Sequence, residues 1–156
     1  QFIKKAKQKY PDAVFLFTGD HFGRRFINSH PNLYERCSVG LVMYGKNIPQ
    51  AKPQTAGSHI DIMPTLIEMV APKGFEYYSF GTSMYAPRKD LSITFNKMVT
   101  QDKMYCMPKD AAVESIDLNT MQENSLPSTP LKKDYNQQMA LAWYYTMKGN
   151  NLKKKK

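Results

Sequence analysis

Long apolar runs are missing from this chain of 156 residues: the longest, near Ala13–Phe17 and Gly40–Tyr44, fall far short of the ~20 residues a membrane-spanning helix needs. The chain opens on Gln1 and carries no basic, apolar and small-residue succession of the kind that forms a secretory leader. The expectation is a soluble piece cut from something larger. Cysteine is scarce as well. Cys37 and Cys106 lie far apart with no second Cys or His at zinc-site spacing, which excludes a zinc module and leaves two thiols or one bridge. Basic residues are not interleaved with aromatics, and no recognised nucleic-acid module is present, so nucleic acid is not an expected partner. An internal repeat is also lacking.

What is present has a globular balance. Hydrophobic residues make up 42% and charged residues 22%, and the length suits one domain with a sizeable core. The net charge of +9 stands out. Part of it is the terminal run Lys153–Lys156, and part is Lys4, Lys5, Lys7 and Lys9 around the first helix. Such charge serves solubility, or it meets an anionic partner such as phospholipid headgroups or a polyphosphodiester.

Phe2, Ile3 and Ala6 recur at helical spacing and predict a short amphipathic helix over Phe2–Lys9, closed by Tyr10 and Pro11. Ala13–Phe17 is an unbroken apolar run, the pattern of a strand covered on both faces, and it points to a parallel α/β sheet. Residues 19–37 read as a long polar loop, Val39–Tyr44 as a second strand, and Ile48–Ser58 as a loop. Asp61 is placed to cap a helix that tolerates Pro64 in its first turn and ends at Pro72; as a cap, Asn would serve about as well. Phe75–Tyr85 reads as a structured loop, with Tyr77, Tyr78 and Tyr85 expected in subdomain packing rather than in a lipid or sugar platform. From Leu91 short β-type runs at Ser92–Phe95, Met104–Met107 and Ala112–Leu118 predict an antiparallel meander. Gln122–Pro130 reads as a linker, and Asp134–Lys148 as a helix with Tyr135, Met139, Ala142, Trp143 and Met147 on one side. The methionines read as core filler.

The chemistry concentrates at Thr18, Gly19, Asp20, His21, Phe22 and Gly23. A strand ending in these residues delivers its polar groups to the carboxyl edge of a sheet, where α/β proteins bind ligands, and Gly19 and Gly23 let the backbone turn tightly. Asp20 offers a hard carboxylate and His21 an imidazole, a pair suited to Mn²⁺, Mg²⁺ or Zn²⁺ more than to Ca²⁺. On the loop that follows, Arg24 and Arg25 could clamp a phosphate and His30 could protonate a leaving alkoxide.

Four ordered motifs, Thr18–Gly23, Gly40–Gly45, His59–Leu66 and Phe80–Met84, together resemble the C-terminal part of the sulfatase branch of the alkaline-phosphatase superfamily. Within it the likeness is greatest to lipoteichoic acid synthases and related phosphoglycerol transferases. The resemblance implies an α/β fold: the C-terminal part of an alkaline-phosphatase-like sheet over 1–88, a small antiparallel β subdomain over 89–121, a linker over 122–133 and a terminal helix with basic tail over 134–156. It implies that Asp20 and His21 are ligands of a divalent metal ion and that Arg24 and His30 face the substrate. It also implies that the nucleophile, a Thr or a modified Cys or Ser, lies in the missing first half of the domain. Thr18 belongs to the metal motif and not to the nucleophile motif, so the chain holds no catalytic nucleophile. His59 and Asp61 start a packing helix in this family rather than bind metal.

The implied parent is a metal-dependent phosphoglycerol transferase or ester hydrolase on the extracytoplasmic face of a bacterial membrane. Its substrate is an anionic phosphate or sulfate ester such as a phosphatidylglycerol-type lipid. Its other partner is the missing N-terminal half, whose loss opens a sheet edge to dimerisation. The contrasting reading is a non-catalytic domain that binds anionic lipid or polymer through its basic charge.

Overall fold

The computed structural model describes residues 1–21, 28–46, 48–50, 57–86, 92–127 and 129–148. Two compact units divide the chain, Gln1–Lys52 and Pro53–Lys156. The fold is mixed, with a two-stranded sheet, a five-stranded antiparallel sheet and a long terminal helix, in keeping with the α/β class expected of a fragment.

In the first unit the apolar–lysine pattern forms helix α1, Phe2–Lys9, as its spacing predicts. The Tyr10 N–H closes it on the Ala6 carbonyl at 2.8 Å. Strands β1, Phe15–Thr18, and β2, Leu41–Tyr44, pair antiparallel with Phe15 opposite Tyr44 and Thr18 opposite Leu41. The expectation of a parallel sheet is therefore corrected for this pair. An unbroken apolar run reports on how a strand is covered and not on the direction of its neighbour. Phe17, Val42 and Tyr44 are exposed, so the ribbon is not covered on both faces either. Between the strands, part of what reads as polar loop is helix α2, Leu33–Cys37, with Leu33 only 1% exposed beneath it.

The second unit starts with a 3₁₀ turn, His59–Asp61, running into helix α3, Ile62–Val70. Asp61 stands at the junction and is 1% exposed. Its carboxylate does not cap α3. One oxygen accepts the Ser58 N–H at 2.8 Å, and the other accepts the Thr82 N–H at 2.9 Å, twenty-one residues along the chain. The expected cap is thereby replaced, because Asp61 closes the turn before the helix and grips the next segment. Thr65 repeats the connection: its hydroxyl donates to the Asp61 carbonyl at 2.6 Å and accepts the Met84 N–H at 2.9 Å. Gly81 completes the joint. A Cβ there would collide with the Ile60 carbonyl and lie 2.9 Å from the Asp61 nitrogen.

Strands β3 (Ser92–Thr94), β4 (Lys97–Val99), β5 (Lys103–Cys106), β6 (Val113–Asp117) and β7 (Glu123–Leu126) form an antiparallel meander in chain order. The expected meander is larger by two strands, and the stretch read as a linker supplies β7. Ile93, Met98, Met107 and Val113 are buried together, with Ile60, Leu126 and residues of helix α4, Thr129–Lys148, packed against them. Each such apolar side chain taken fully from water contributes about 1.5–3 kcal/mol. Helix α4 begins earlier than Asp134, with Pro130 tolerated in its first turn. Leu131, Tyr135 and Met139 face the core. The Tyr135 hydroxyl accepts the Asn96 N–H at 2.6 Å and donates to the Thr94 carbonyl at 3.1 Å, pinning α4 to the β3–β4 turn.

At the β6–β7 turn the N–H groups of Thr120 and Asn119 donate to one Asp117 oxygen and hold that carboxyl below its ordinary range. Its folded-state affinity for a proton is thus depressed, so whatever this turn adds to stability is present at neutral pH and is lost as pH falls through the folded-state pKa. Neither Cys37 nor Cys106 forms a disulfide. Among the described residues no helix is long and apolar enough to cross a membrane.

Because the two Asp61 oxygens accept from two different N–H groups, Asn at this position would satisfy one and set its amide nitrogen against the other. Asp61→Asn is expected to cost about 1–3 kcal/mol in chemical denaturation. Gly81→Ala is expected to cost a similar amount, about 1–3 kcal/mol, by overpacking. A neutral Asp61→Asn would return the residue to the role of a simple cap.

Candidate metal centre

Strand β1 ends at Thr18, and the two residues beyond Gly19 are Asp20 and His21, at the carboxyl end of the strand as the motif predicts. Both are open to solvent, with side chains 90% and 67% exposed respectively. One Asp20 oxygen accepts the His21 N–H at 3.0 Å, and the other lies 3.6 Å from His21 Nε2. Carboxylate and imidazole therefore stand on the same side of the turn with an oxygen and a nitrogen facing each other. This fits two positions of a mixed oxygen–nitrogen shell. Among the described residues no group of three or more His, Cys, Asp or Glu able to hold a metal occurs.

Gly19 does not owe its place to steric necessity. A Cβ there would meet the His21 carbonyl oxygen at 3.4 Å and Val39 at 3.5 Å, close to ordinary contact, and its φ is not in the left-handed region. The expected tight glycine turn is therefore unsupported at Gly19, and Gly23 falls outside the described residues. The Thr18 hydroxyl donates to the neighbouring Gly19 carbonyl at 3.2 Å.

Of the substrate-side candidates, Arg24 and Arg25 lie outside the described residues. His30 is exposed, and its N–H donates to the Asn28 carboxamide oxygen at 3.0 Å. Asn28 in turn donates to a Glu35 oxygen at 3.2 Å, and that same oxygen accepts the Asn32 N–H at 3.0 Å. The Asn32 side chain accepts the Glu35 N–H at 2.9 Å, so a capping box starts α2 and Glu35 ties the His30 segment to it. These positioning residues were missed in the sequence, although Asn followed three residues later by Glu is a recognised helix-start signal. His59 is exposed in the second unit, beside the buried Asp61, whose oxygens are both engaged by backbone N–H groups.

Comparison with known proteins places a similar sequence in lipoteichoic acid synthase 1 of Bacillus subtilis (strain 168), 25% identical over 160 residues. The alignment takes in 91% of this chain and 24% of that protein, so the chain spans about a quarter of its relative's length. The relationship is thus distant and partial, and it runs toward the lipoteichoic acid synthases. No protein-family model matches the chain, and no solved structure matches it significantly.

Side chains this exposed carry little of the fold. Asp20→Ala and His21→Ala are each expected to change unfolding free energy by no more than about 0.5 kcal/mol. Chemical denaturation in the presence of a chelator measures this, and a loss well beyond that range would make the pair a structural contact instead.

Proposed function

We propose that this chain is a piece of a metal-dependent phosphoglycerol transferase of the lipoteichoic acid synthase kind, or of a closely allied phosphoric or sulfuric ester hydrolase. The observation that carries the reading is the exposed Asp20–His21 pair at the carboxyl end of β1, in a chain distantly similar to such a synthase. Asp20 and His21 would hold a divalent ion, with Mn²⁺, Mg²⁺ and Zn²⁺ suiting the donor set. Such an ion supplies Lewis-acid polarisation of a phosphoryl or sulfuryl oxygen and keeps a nucleophile ionised.

The chain's own side chains do the rest of what this piece contributes. Arg24 would orient an anionic ester and His30 would return a proton to the departing alkoxide. The nucleophile and the remaining ligands come from the missing part of the domain. That part also answers a structural need, because a two-stranded ribbon such as β1–β2 is at best marginally stable by itself. An extracytoplasmic location in the parent and a lipid donor of the phosphatidylglycerol type follow from the same reading.

The whole chain is expected to hydrolyse no aryl phosphate or sulfate ester with any divalent ion added, since it lacks a nucleophile. Within the complete protein, Asp20→Asn or His21→Gln should lower kcat/KM by at least ~10²-fold, because a metal contribution of several kcal/mol is at stake. Metal-dependent turnover by the isolated chain that vanishes in Asp20→Ala would overturn the assignment and turn attention to Thr18. Unimpaired turnover in the Asp20→Asn complete protein would remove the metal role altogether.

A further inference from the structure

Helix α4 is two helices in character. Its first three turns follow the ordinary amphipathic rule, with Leu131, Tyr135 and Met139 toward the core and polar residues outside. From Leu141 onward the rule fails. Leu141, Trp143, Tyr144 and Met147 are 45%, 68%, 53% and 66% exposed, and at 3.6 residues per turn they share one side of the helix, opposite the face that Leu131, Tyr135 and Met139 turn to the core. A contiguous exposed apolar face of this kind is one that another phase or partner covers.

The aromatics are ordered among themselves. Tyr145 meets Phe80 edge-on at 5.7 Å and Tyr144 at 5.5 Å, and Lys148 places its ammonium 5.6 Å from the centre of the Tyr144 ring. Phe80 is itself exposed and directly precedes Gly81 and Thr82, the segment gripped by the Asp61 carboxylate. Tyr78, expected in subdomain packing, is instead 83% exposed on the same segment. The end of α4 is therefore a fixed aromatic ledge and not a frayed terminus.

Charge decides what such a ledge fits. Between Tyr135 and Lys156 the sequence has no Asp or Glu and five lysines, Lys148 and Lys153–Lys156. Glu76 is the one acid between Phe75 and Phe80. Trp and Tyr are the side chains that settle at the headgroup level of a bilayer, and adjoining lysines draw such a surface to anionic lipid. A protein partner's core interface would call for the same aromatics but would not call for an acid-free run of lysines beside them.

We propose that the last two turns of α4, with Phe80 beside them, form an interfacial docking element for an anionic phospholipid surface. This is a surface contact and not a membrane span, and it does not rest on the phosphoryl-transfer reading. Trp143 is the single tryptophan of the chain and sits within the element, so its fluorescence reports on this element alone.

The test adds vesicles of phosphatidylcholine, with or without about a third phosphatidylserine, to the whole chain. Phosphatidylserine carries the charge without the glycerol headgroup, which keeps the outcome separate from recognition of a phosphatidylglycerol-type substrate. Trp143 emission is expected to shift to the blue and to be quenched by brominated acyl chains. Apparent affinity should be at least about tenfold higher for the anionic vesicles and should fall in high salt. Leu141→Ser combined with Met147→Ser keeps the reporter and should abolish the shift, with circular dichroism confirming that the helix remains.

Three results would overturn the proposal. One is co-sedimentation with vesicles while Trp143 emission stays unchanged, which moves binding to another surface. Another is equal affinity for neutral and anionic vesicles, or none for either. The third is blue-shifted Trp143 in a lipid-free dimer, which assigns the ledge to a second copy of the chain.

Discussion

The second unit depends on one carboxylate. Asp61 is buried, and its two oxygens accept N–H groups from Ser58 and from Thr82, so a local turn and a distant segment are closed by the same side chain. A buried acid is costly to leave unsatisfied, and here both oxygens have partners of fixed direction. Thr65 doubles the link to the same segment, and Gly81 leaves room for the two backbones to approach. Two of the four sequence motifs, His59–Leu66 and Phe80–Met84, are thus one physical joint seen twice along the chain. Its Asp, Thr and Gly are there for one reason, the close passage of two backbones.

The contrast with Asp20 shows how environment assigns a role to the same residue type. Asp61 is buried, with a backbone N–H donating to each of its oxygens. Asp20 is almost wholly exposed, with one oxygen held by the adjacent N–H and the other turned toward an imidazole. Of the two carboxylates, that of Asp20 is the one open to solvent. The acid at the start of α3 is a fastener, and the acid at the strand end projects into solvent.

Legibility in the sequence followed the strength of local signals. Helix α1 and the helix after Asp61 were readable because periodicity and proline punctuation agreed there. The meander was readable in kind, while β4, Lys97–Val99, and β7, Glu123–Leu126, were not. Strands of three or four residues are too short for alternation to show, and β7 has no apolar residue before Leu126. Its place is set by pairing with β6, Val113 opposite Leu126, which is tertiary information. The antiparallel sense of β1–β2 was out of reach for the same reason. The position of Asp20 and His21 was legible because it needs only the end of a strand. The role of Asp61 was not, since its second partner is twenty-one residues away.

The two units also differ in what holds them. Among the described residues, the buried apolar side chains lie in the second unit with one exception, Leu33 under α2. The first unit therefore rests on a four-residue ribbon, the Asn32–Glu35 box and contacts such as Lys7 with Tyr44, none of which removes much apolar surface from water. Asp20 and His21 extend from the less consolidated of the two. A ligand pair binds a metal well only when neighbouring structure fixes both groups before the ion arrives. In the first unit that structure is thin, and among the described residues no third strand pairs with either edge of the ribbon. Added strands would bury Phe17, Val42 and Tyr44 and would stiffen the turn from which Asp20 and His21 project. If Asp20 and His21 hold an ion as proposed, the segment that completes the sheet would be the one to supply the further ligands.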